Sequence, residues 1–336
     1  MTVTLDDIRA AAERLEGNAL RTPLLESPLL NAQLGCRLLV KAECLQLTGS
    51  FKYRGAFNRI SQLDPETRAK GVLAYSTGNH AQGVAAAAKH AGTEAVIVLP
   101  EDAPEIKKRN ARAWGAELVF YNRDTDDRAA IAEEVARKRG GAALVPPYDH
   151  EHVIAGQGTI GLEILEQTEA MGTRPDAVVI PVGGGGLTAG ISTAVRALCP
   201  ETRFFMAEPA AYDDTARSLA AGKRLGVDLS PGHPTTFCDA LTAPMPGEIT
   251  FSINRTTVNG VLVQSDDDVC RGIYTAFNDL KIVLEPSGAI GLAAVVSGAL
   301  EKSCGAIKGR TIVVIASGGN VDAATFCDAL KKGAPR

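Results

Sequence analysis

The sequence predicts an α/β protein built on mostly parallel sheets. Short β-branched or apolar runs alternate with helical patterns along the whole chain, which is the rhythm of βαβ units. Several of these runs end in Gly, Ser or Thr just where the next helix opens. The length of 336 residues allows about two domains and a substantial apolar core.

In chain order the expected strands are "RLLVKA", "GVLAYS", "AVIVLP", "AELVFY", "AALVPP", "AVVIPV", "RFFMAE", "VLVQS" and "TIVVIAS". The strand-to-helix junctions are clearest in "YSTGNHAQGVAAAAKHAG", "PVGGGGLTAGISTAVRAL" and "ASGGNVDAATFCDAL". Such strand ends are where open α/β sheets bind ligands. No internal repeat, low-complexity segment or glycine-serine linker interrupts the pattern.

Composition narrows the function. A 45% hydrophobic and 22% charged chain of formal charge -4, without a strong basic run, points away from nucleic acid and toward a small-molecule partner. The N-terminal "MTVTLDDIRAAAERLEG" is charged and amphipathic, and no apolar run reaches membrane-spanning length, so a cytoplasmic protein is expected. The odd count of 7 cysteines, without CxxC spacing, reads as reduced and mostly buried thiols. Only 5 histidines are present, and His150 and His152 read as a loop pair rather than a metal site.

Four loops carry chemistry. In "TGSFKYRGA", Ser50 can cap a helix whose first turn holds Lys52; the positive helix end and partial burial both disfavour the ammonium, which suits Schiff-base chemistry. Taken alone, Lys52 reads better as a snorkelling surface cation. In "VGGGGL", the successive glycines 183 to 186 let backbone N–H groups close around a phosphate at a helix N-terminus. The spacing is not GxGxxG, so a nicotinamide site is disfavoured, and a plain tight turn is the other reading. In "STGNHAQG", Ser76, Thr77, Asn79 and the helix amides offer donors to a carboxylate or phenolic oxygen, or form an ordinary N-cap. In "ASGGNVD", Ser317 ends a strand where its hydroxyl could meet a ring nitrogen, or simply cap a turn.

A lysine, a phosphate cup, an anion site and a ring-nitrogen partner together suit pyridoxal 5'-phosphate. At these positions the sequence resembles the fold-type II pyridoxal-phosphate enzymes, specifically the serine/threonine dehydratase and serine racemase family. The segments "SFKYRGA", "STGNHAQGVA", "IAGQGTIGLEI", "PVGGGGLTAGI", "AEP", "LEPSGAIG" and "SGGNVD" carry the resemblance through nearly the whole chain.

The resemblance implies a tryptophan-synthase-β-like fold: residues 1–63 and 148–336 as a large cofactor-binding domain, 64–147 as a small mobile one, and the active site in the cleft between them. It makes Lys52 the Schiff-base lysine and the base for the Cα proton. Phe51 would pack on the ring, Asn79 would bond the phenolic oxygen, Gly183, Gly184, Gly185 and Gly186 would hold the phosphate, and Ser317 would face the pyridine nitrogen. Ser76, Thr77, Gly78, Asn79 and His80 would enclose the substrate α-carboxylate. In "AEPAAYDD", Glu208, the Tyr212 carbonyl and Asp214 would bind magnesium or calcium, since hard cations take oxygen donors; acidic decoration of a helix start is the alternative. A homodimer is implied. A C-terminal regulatory domain, and with it isoleucine feedback, is not expected.

Two positions depart from the family pattern. Thr77 stands where serine racemases carry a second catalytic serine, and β-branching restricts its rotamers. "CDALTAP" puts Ala240 where glycine is usual. The implied reaction is a lyase reaction, β-elimination of water from a 3-hydroxy α-amino acid to a keto acid and ammonia. Arg128 matches an arginine able to approach a second substrate carboxylate, which favours 3-hydroxyaspartate, with serine and threonine close behind. A serine or aspartate racemase and a β-replacement synthase are the alternatives within the fold. A non-catalytic ligand-binding protein is a distant alternative that would leave Lys52 without a purpose.

Overall fold

The computed structural model describes residues 3–76, 78–103, 105–122 and 125–335. All the expected strands form: β2 (Arg37–Lys41), β3 (Val72–Tyr75), β4 (Ala95–Pro100), β5 (Glu117–Tyr121), β6 (Ala143–Leu144), β7 (Ala177–Pro181), β8 (Arg203–Pro209), β9 (Gly260–Gln264) and β10 (Thr311–Ile315). One more, β1 (Leu24–Glu26), is too short to show in the pattern and pairs antiparallel with β2. The remaining pairs are parallel.

The strands divide into two sheets, one ordered β1-β2-β10-β7-β8-β9 and the other β5-β4-β3-β6. Alternate side chains enter opposite faces, as the strand period requires. Leu38, Val40, Val179, Ile312 and Val314 pack on one side of the larger sheet, in one cluster with residues of the helix Pro286–Val296. Leu39, Val178, Ile180, Val313 and Ile315 pack on the other, in one cluster with residues of the helices Glu151–Ala170 and Gly186–Leu198. The last strand of the chain, β10, inserts between β2 and β7, with Val313 opposite both Leu39 and Val178. That insertion brings the loops after β2, β7 and β10 to one edge.

Cys36, Cys44, Cys199, Cys238 and Cys270 are buried thiols, as their number and spacing suggested. Among the described residues no helix is long and apolar enough to cross a membrane. The His150 and His152 pair is not a loop: His150 caps the helix Glu151–Ala170, its Nδ1 accepting from the His152 N–H at 3.1 Å.

Behind the loop after β2 lies a buried ionic cluster. Arg54 donates to Glu43 through Nε at 2.9 Å and Nη2 at 2.8 Å, and to Glu163 through Nη1 at 2.6 Å. Lys41 Nζ reaches the same Glu163 and the Thr22 carbonyl. Lys41, Glu43 and Arg54 are 0–1% exposed. Burial alone would raise the Glu43 carboxyl, but the Arg54 guanidinium together with Lys41 and the Thr22 hydroxyl outweighs it and holds the group below the usual carboxylate range. Breaking such a pair leaves an uncompensated buried charge. Glu43→Ala should therefore cost about 3–5 kcal/mol in urea unfolding; a loss under about 1 kcal/mol, the range of exposed pairs, would show that Arg54 is not desolvated by folding.

Candidate active site

A cavity of about 550 Å³ opens between the two sheets, lined by Phe51 and Lys52, Ser76 and Gly78 to His80, Gly183 to Gly186, and Ser317. The loops singled out in the sequence thus meet in one place. Lys52 begins the helix Lys52–Ile60. Its Nζ donates to the Pro147 carbonyl at 2.7 Å and stands 5.2 Å from the Phe51 ring centroid. Burial without a carboxylate partner pulls the ammonium down to about 8.

Ser50 does not cap this helix. The first turn starts from Phe51 in a helical conformation with no side-chain cap. Instead Ser50 is tied into a bridge with Gly318, while Phe51 N–H donates to the Ser317 carbonyl at 3.1 Å. The lysine is therefore registered against the end of β10. The helix Asn79–His90 approaches closely from the other side, since a Cβ at Gly83 would lie 3.0 Å from the Lys52 carbonyl carbon.

The glycine loop has a specific geometry. Gly185 adopts φ +92°, a conformation that side chains disfavour, and a Cβ at Gly184 would overlap the Tyr148 ring. The Gly184 carbonyl accepts from Thr250 Oγ1 at 2.6 Å and the Gly185 carbonyl from Asn254 Nδ2 at 3.1 Å. These acceptors are thereby engaged, while the first turn of the helix Gly186–Leu198 presents N–H groups and the positive end of its dipole to an anion.

Asn79 opens its helix with the side-chain amide between two partners, Glu285 Oε1 at 2.5 Å and Asn320 Nδ2 at 2.7 Å. His80 lies within hydrogen-bond distance of the Val145 carbonyl, 2.7 Å from Nε2. A carbonyl only accepts, so Nε2 carries the proton, and burial, with Lys52 adding to it, lowers the imidazole to about 3. The neutral ring has no second N–H, so at His80 the main-chain amide is the donor left for an anion. Ser76 Oγ accepts from Gly78 N–H at 3.3 Å. Thr77 lies outside the described residues. Arg128 starts the helix Arg128–Lys138, lines the cavity and holds its guanidinium 5.5 Å from the Tyr75 ring centroid. Ala240 also lines the cavity, its N–H donating to Ser287 Oγ at 3.0 Å.

Glu208, Tyr212 and Asp214 lie elsewhere, around the carboxyl end of β8. Glu208 accepts from the N–H groups of Thr215 and Ala216 at 3.2 and 2.8 Å, at the start of the helix Asp214–Ala221. Burial raises the Glu208 carboxyl to about 8 and that of Asp214 to about 7. Asp214 Oδ2 is buried and has no hydrogen-bond partner among the described residues.

Glu285, Asn320 and Tyr148 received no role from the sequence, although "LEPSGAIG" and "SGGNVD" contain the first two. The available signal was a single acidic residue opening the apolar stretch "PSGAIGLAAVV". A carboxylate there has to be satisfied by something outside its own helix.

Comparison with known proteins agrees with this geometry. The profile of the family described as pyridoxal-phosphate dependent enzyme matches residues 15–318. An L-threo-3-hydroxyaspartate ammonia-lyase from Pseudomonas sp is 41% identical over 97% of this chain and 98% of its own. The structure of maize serine racemase superposes with a TM-score of 0.90 at 37% identity, over 99% of this chain and 98% of that one. The serine racemase from Dictyostelium discoideum gives a TM-score of 0.87 at 37% identity, over 96% of this chain and 100% of that one.

The environment of Lys52 makes a measurable difference between it and other lysines. In protein freed of any bound aldehyde, acylation of Lys52 should reach half its limiting rate near pH 8, while exposed lysines follow their usual value of about 10.4. Peptide mapping by mass spectrometry across a pH series checks this, and a Lys52 profile superimposable on the exposed lysines would show that the cavity does not desolvate it.

Proposed function

Because the chain belongs to the pyridoxal-phosphate-dependent enzymes, we propose that this cavity holds pyridoxal 5'-phosphate and eliminates water from a 3-hydroxy α-amino acid, with 3-hydroxyaspartate as the preferred substrate. The observation that carries the reading is that Lys52, with its lowered basicity, and the glycine-lined helix N-terminus line one cavity. The donor set suits the cofactor: Gly183 to Gly186 form a cradle that a Cβ at Gly184 would disrupt, with neighbouring carbonyls already engaged.

When bound, the cofactor supplies a carbonyl that captures an amino group and a conjugated ring that accepts electron density from Cα. Lys52 would be its covalent anchor until the substrate amino group takes that place and frees Nζ, and Phe51, 5.2 Å from Nζ, would be the ring-face neighbour. Asn79 would donate to its phenolic oxygen, and Ser317, which lines the same cavity, would stand against its pyridine nitrogen. A neutral serine there would not hold a positive charge on that nitrogen as a carboxylate would, which would favour prompt loss of the β-hydroxyl. Lys52 Nζ takes the Cα proton. The β-hydroxyl departs as water, carrying the proton that Lys52 took from Cα, the enamine product tautomerises to an imine, and hydrolysis gives a keto acid and ammonia.

Ser76, Gly78, Asn79 and the His80 main chain bind the α-carboxylate, with Thr77 as the second hydroxyl beside the substrate. The small domain, 64–147, has its own sheet and carries Arg128 to the cavity; closure would exclude water. Arg128 pairs with the distal carboxylate of the dicarboxylic substrate. This substrate choice is supported by the hydroxyaspartate activity of the Pseudomonas relative. Magnesium or calcium would sit between Glu208, the Tyr212 carbonyl and Asp214, where the unpartnered Asp214 Oδ2 is the supporting observation.

An ammonia and keto-acid assay over serine, threonine and the hydroxyaspartate stereoisomers tests the function; no ammonia from any of them overturns it. Arg128→Ala should lower kcat/KM for hydroxyaspartate by roughly tenfold to a hundredfold, the worth of a charge-assisted contact, and change serine turnover much less. An equal fall for both substrates removes the case for the dicarboxylate. Chelation should lower the melting temperature, and added magnesium or calcium should restore it, because a ligand of the native state stabilises that state. An unchanged melting curve after verified metal removal discards the cation site.

A further inference from the structure

Glu285 is a carboxyl group in an unusual place. It is 4% exposed, lines the cavity and precedes the helix Pro286–Val296, with its N–H donating to the Gly318 carbonyl at 3.1 Å. Among the described residues it makes no ion pair; its side chain meets the Asn79 amide at 2.5 Å, and the Asn320 main-chain N–H also favours its charged form. Burial accordingly raises it to about 8. The packing is tight: a Cβ at Gly318 would overlap Glu285 Oε1 and lie 3.0 Å from Asn79 Nδ2.

The hydrogen bonds around Asn79 have only one consistent direction. Asn320 Nδ2 lies 2.8 Å from the Thr48 carbonyl and 2.7 Å from Asn79 Oδ1. A carbonyl only accepts, so Asn320 presents its donor side and Asn79 answers with its oxygen. The Asn79 nitrogen is then turned to Glu285, whose oxygen accepts whether the group is ionised or retains a carbonyl oxygen after protonation. One N–H of Asn79 is used in this contact, leaving its second N–H for another acceptor.

We propose that Glu285 is a positioning residue of the cofactor site: with Asn320 it locks the Asn79 amide in the orientation that directs its remaining N–H to the cofactor's phenolic oxygen. The inference rests on the reading of Asn79 given above. Without Glu285 the amide keeps its Asn320 contact but loses the partner that sets its rotation about the side-chain bond.

The test compares wild type, Glu285→Gln and Glu285→Ala as purified holoenzymes. Cofactor affinity is measured by dialysis and fluorescence, together with the visible absorbance band and the melting temperature of the cofactor-free proteins. Glutamine retains an accepting oxygen, so it should bind pyridoxal phosphate within about threefold of wild type with the same band; alanine should lose roughly tenfold or more, the scale of a lost hydrogen bond to a polar group that stays buried. An Ala variant that binds normally, or a Gln variant as impaired as Ala, overturns the inference. If Glu285→Ala does not fold, Asn320→Ala releases the other end of the same amide and should reproduce the loss; normal affinity there overturns the inference as well. A wild-type protein without any visible band would instead sink the reading of the cavity itself.

Discussion

The shared contacts of Arg54 with Glu43 and Glu163 are what the rest of the site depends on. Two cations and two carboxylates in one buried cluster offset one another, so none can be removed without stranding a neighbour in a low-dielectric interior. Arg54 stands two residues after Lys52 on the same helix, Glu43 follows β2, and Glu163 belongs to the helix Glu151–Ala170. The cluster therefore joins the element that carries Lys52 to the larger sheet and to the helix covering it. Lys52 itself makes no ion pair among the described residues, and this contrast leaves it weakly basic beside a fully paired Arg54.

Close approach is the second constraint. Gly83 lets one helix run against the Lys52 backbone, Gly184 makes room for the Tyr148 ring, and Gly318 makes room for Glu285. A methyl group would collide at Gly184 and Gly318 and be tightly crowded at Gly83, and each lies beside a residue of the cavity wall. Helix ends, loop carbonyls and side-chain amides then carry the polarity. The glycine loop presents N–H groups because Thr250 and Asn254 occupy its carbonyls, and Asn79 has a fixed direction because Thr48 and Glu285 bracket its chain of contacts.

Charge around the cavity is distributed by depth. Lys107 and Asp239, 132 residues apart in sequence, pair at the cavity wall, whereas Glu285 lies inside with amide partners. An exposed pair is screened and contributes little. A buried carboxyl without a cation is costly, and it persists here because Asn79 and the Asn320 main chain satisfy it.

The sequence by itself determined the strands, the parallel α/β class and the loops that bear chemistry, because those depend on local pattern: apolar runs of strand length, glycine where backbone must bend, a lysine after a tight turn. It could not determine what those residues touch. Ser50 looked like a cap on local grounds, yet its backbone is taken up by Gly318, far along the chain. The resemblance places His80 beside the substrate carboxylate, and only the folded chain shows that its ring is spent on the Val145 carbonyl. Arg54, Glu43 and Glu163 are ordinary charges in the sequence and become a buried cluster only when three separate elements pack. Glu285 and Asn320 sit in recognisable motifs, but their joint hold on Asn79 spans more than two hundred residues of sequence. The contacts of Gly318 and Asn320 follow from how β10 inserts between β2 and β7, and that register is a property of the assembled sheet rather than of any one stretch of chain.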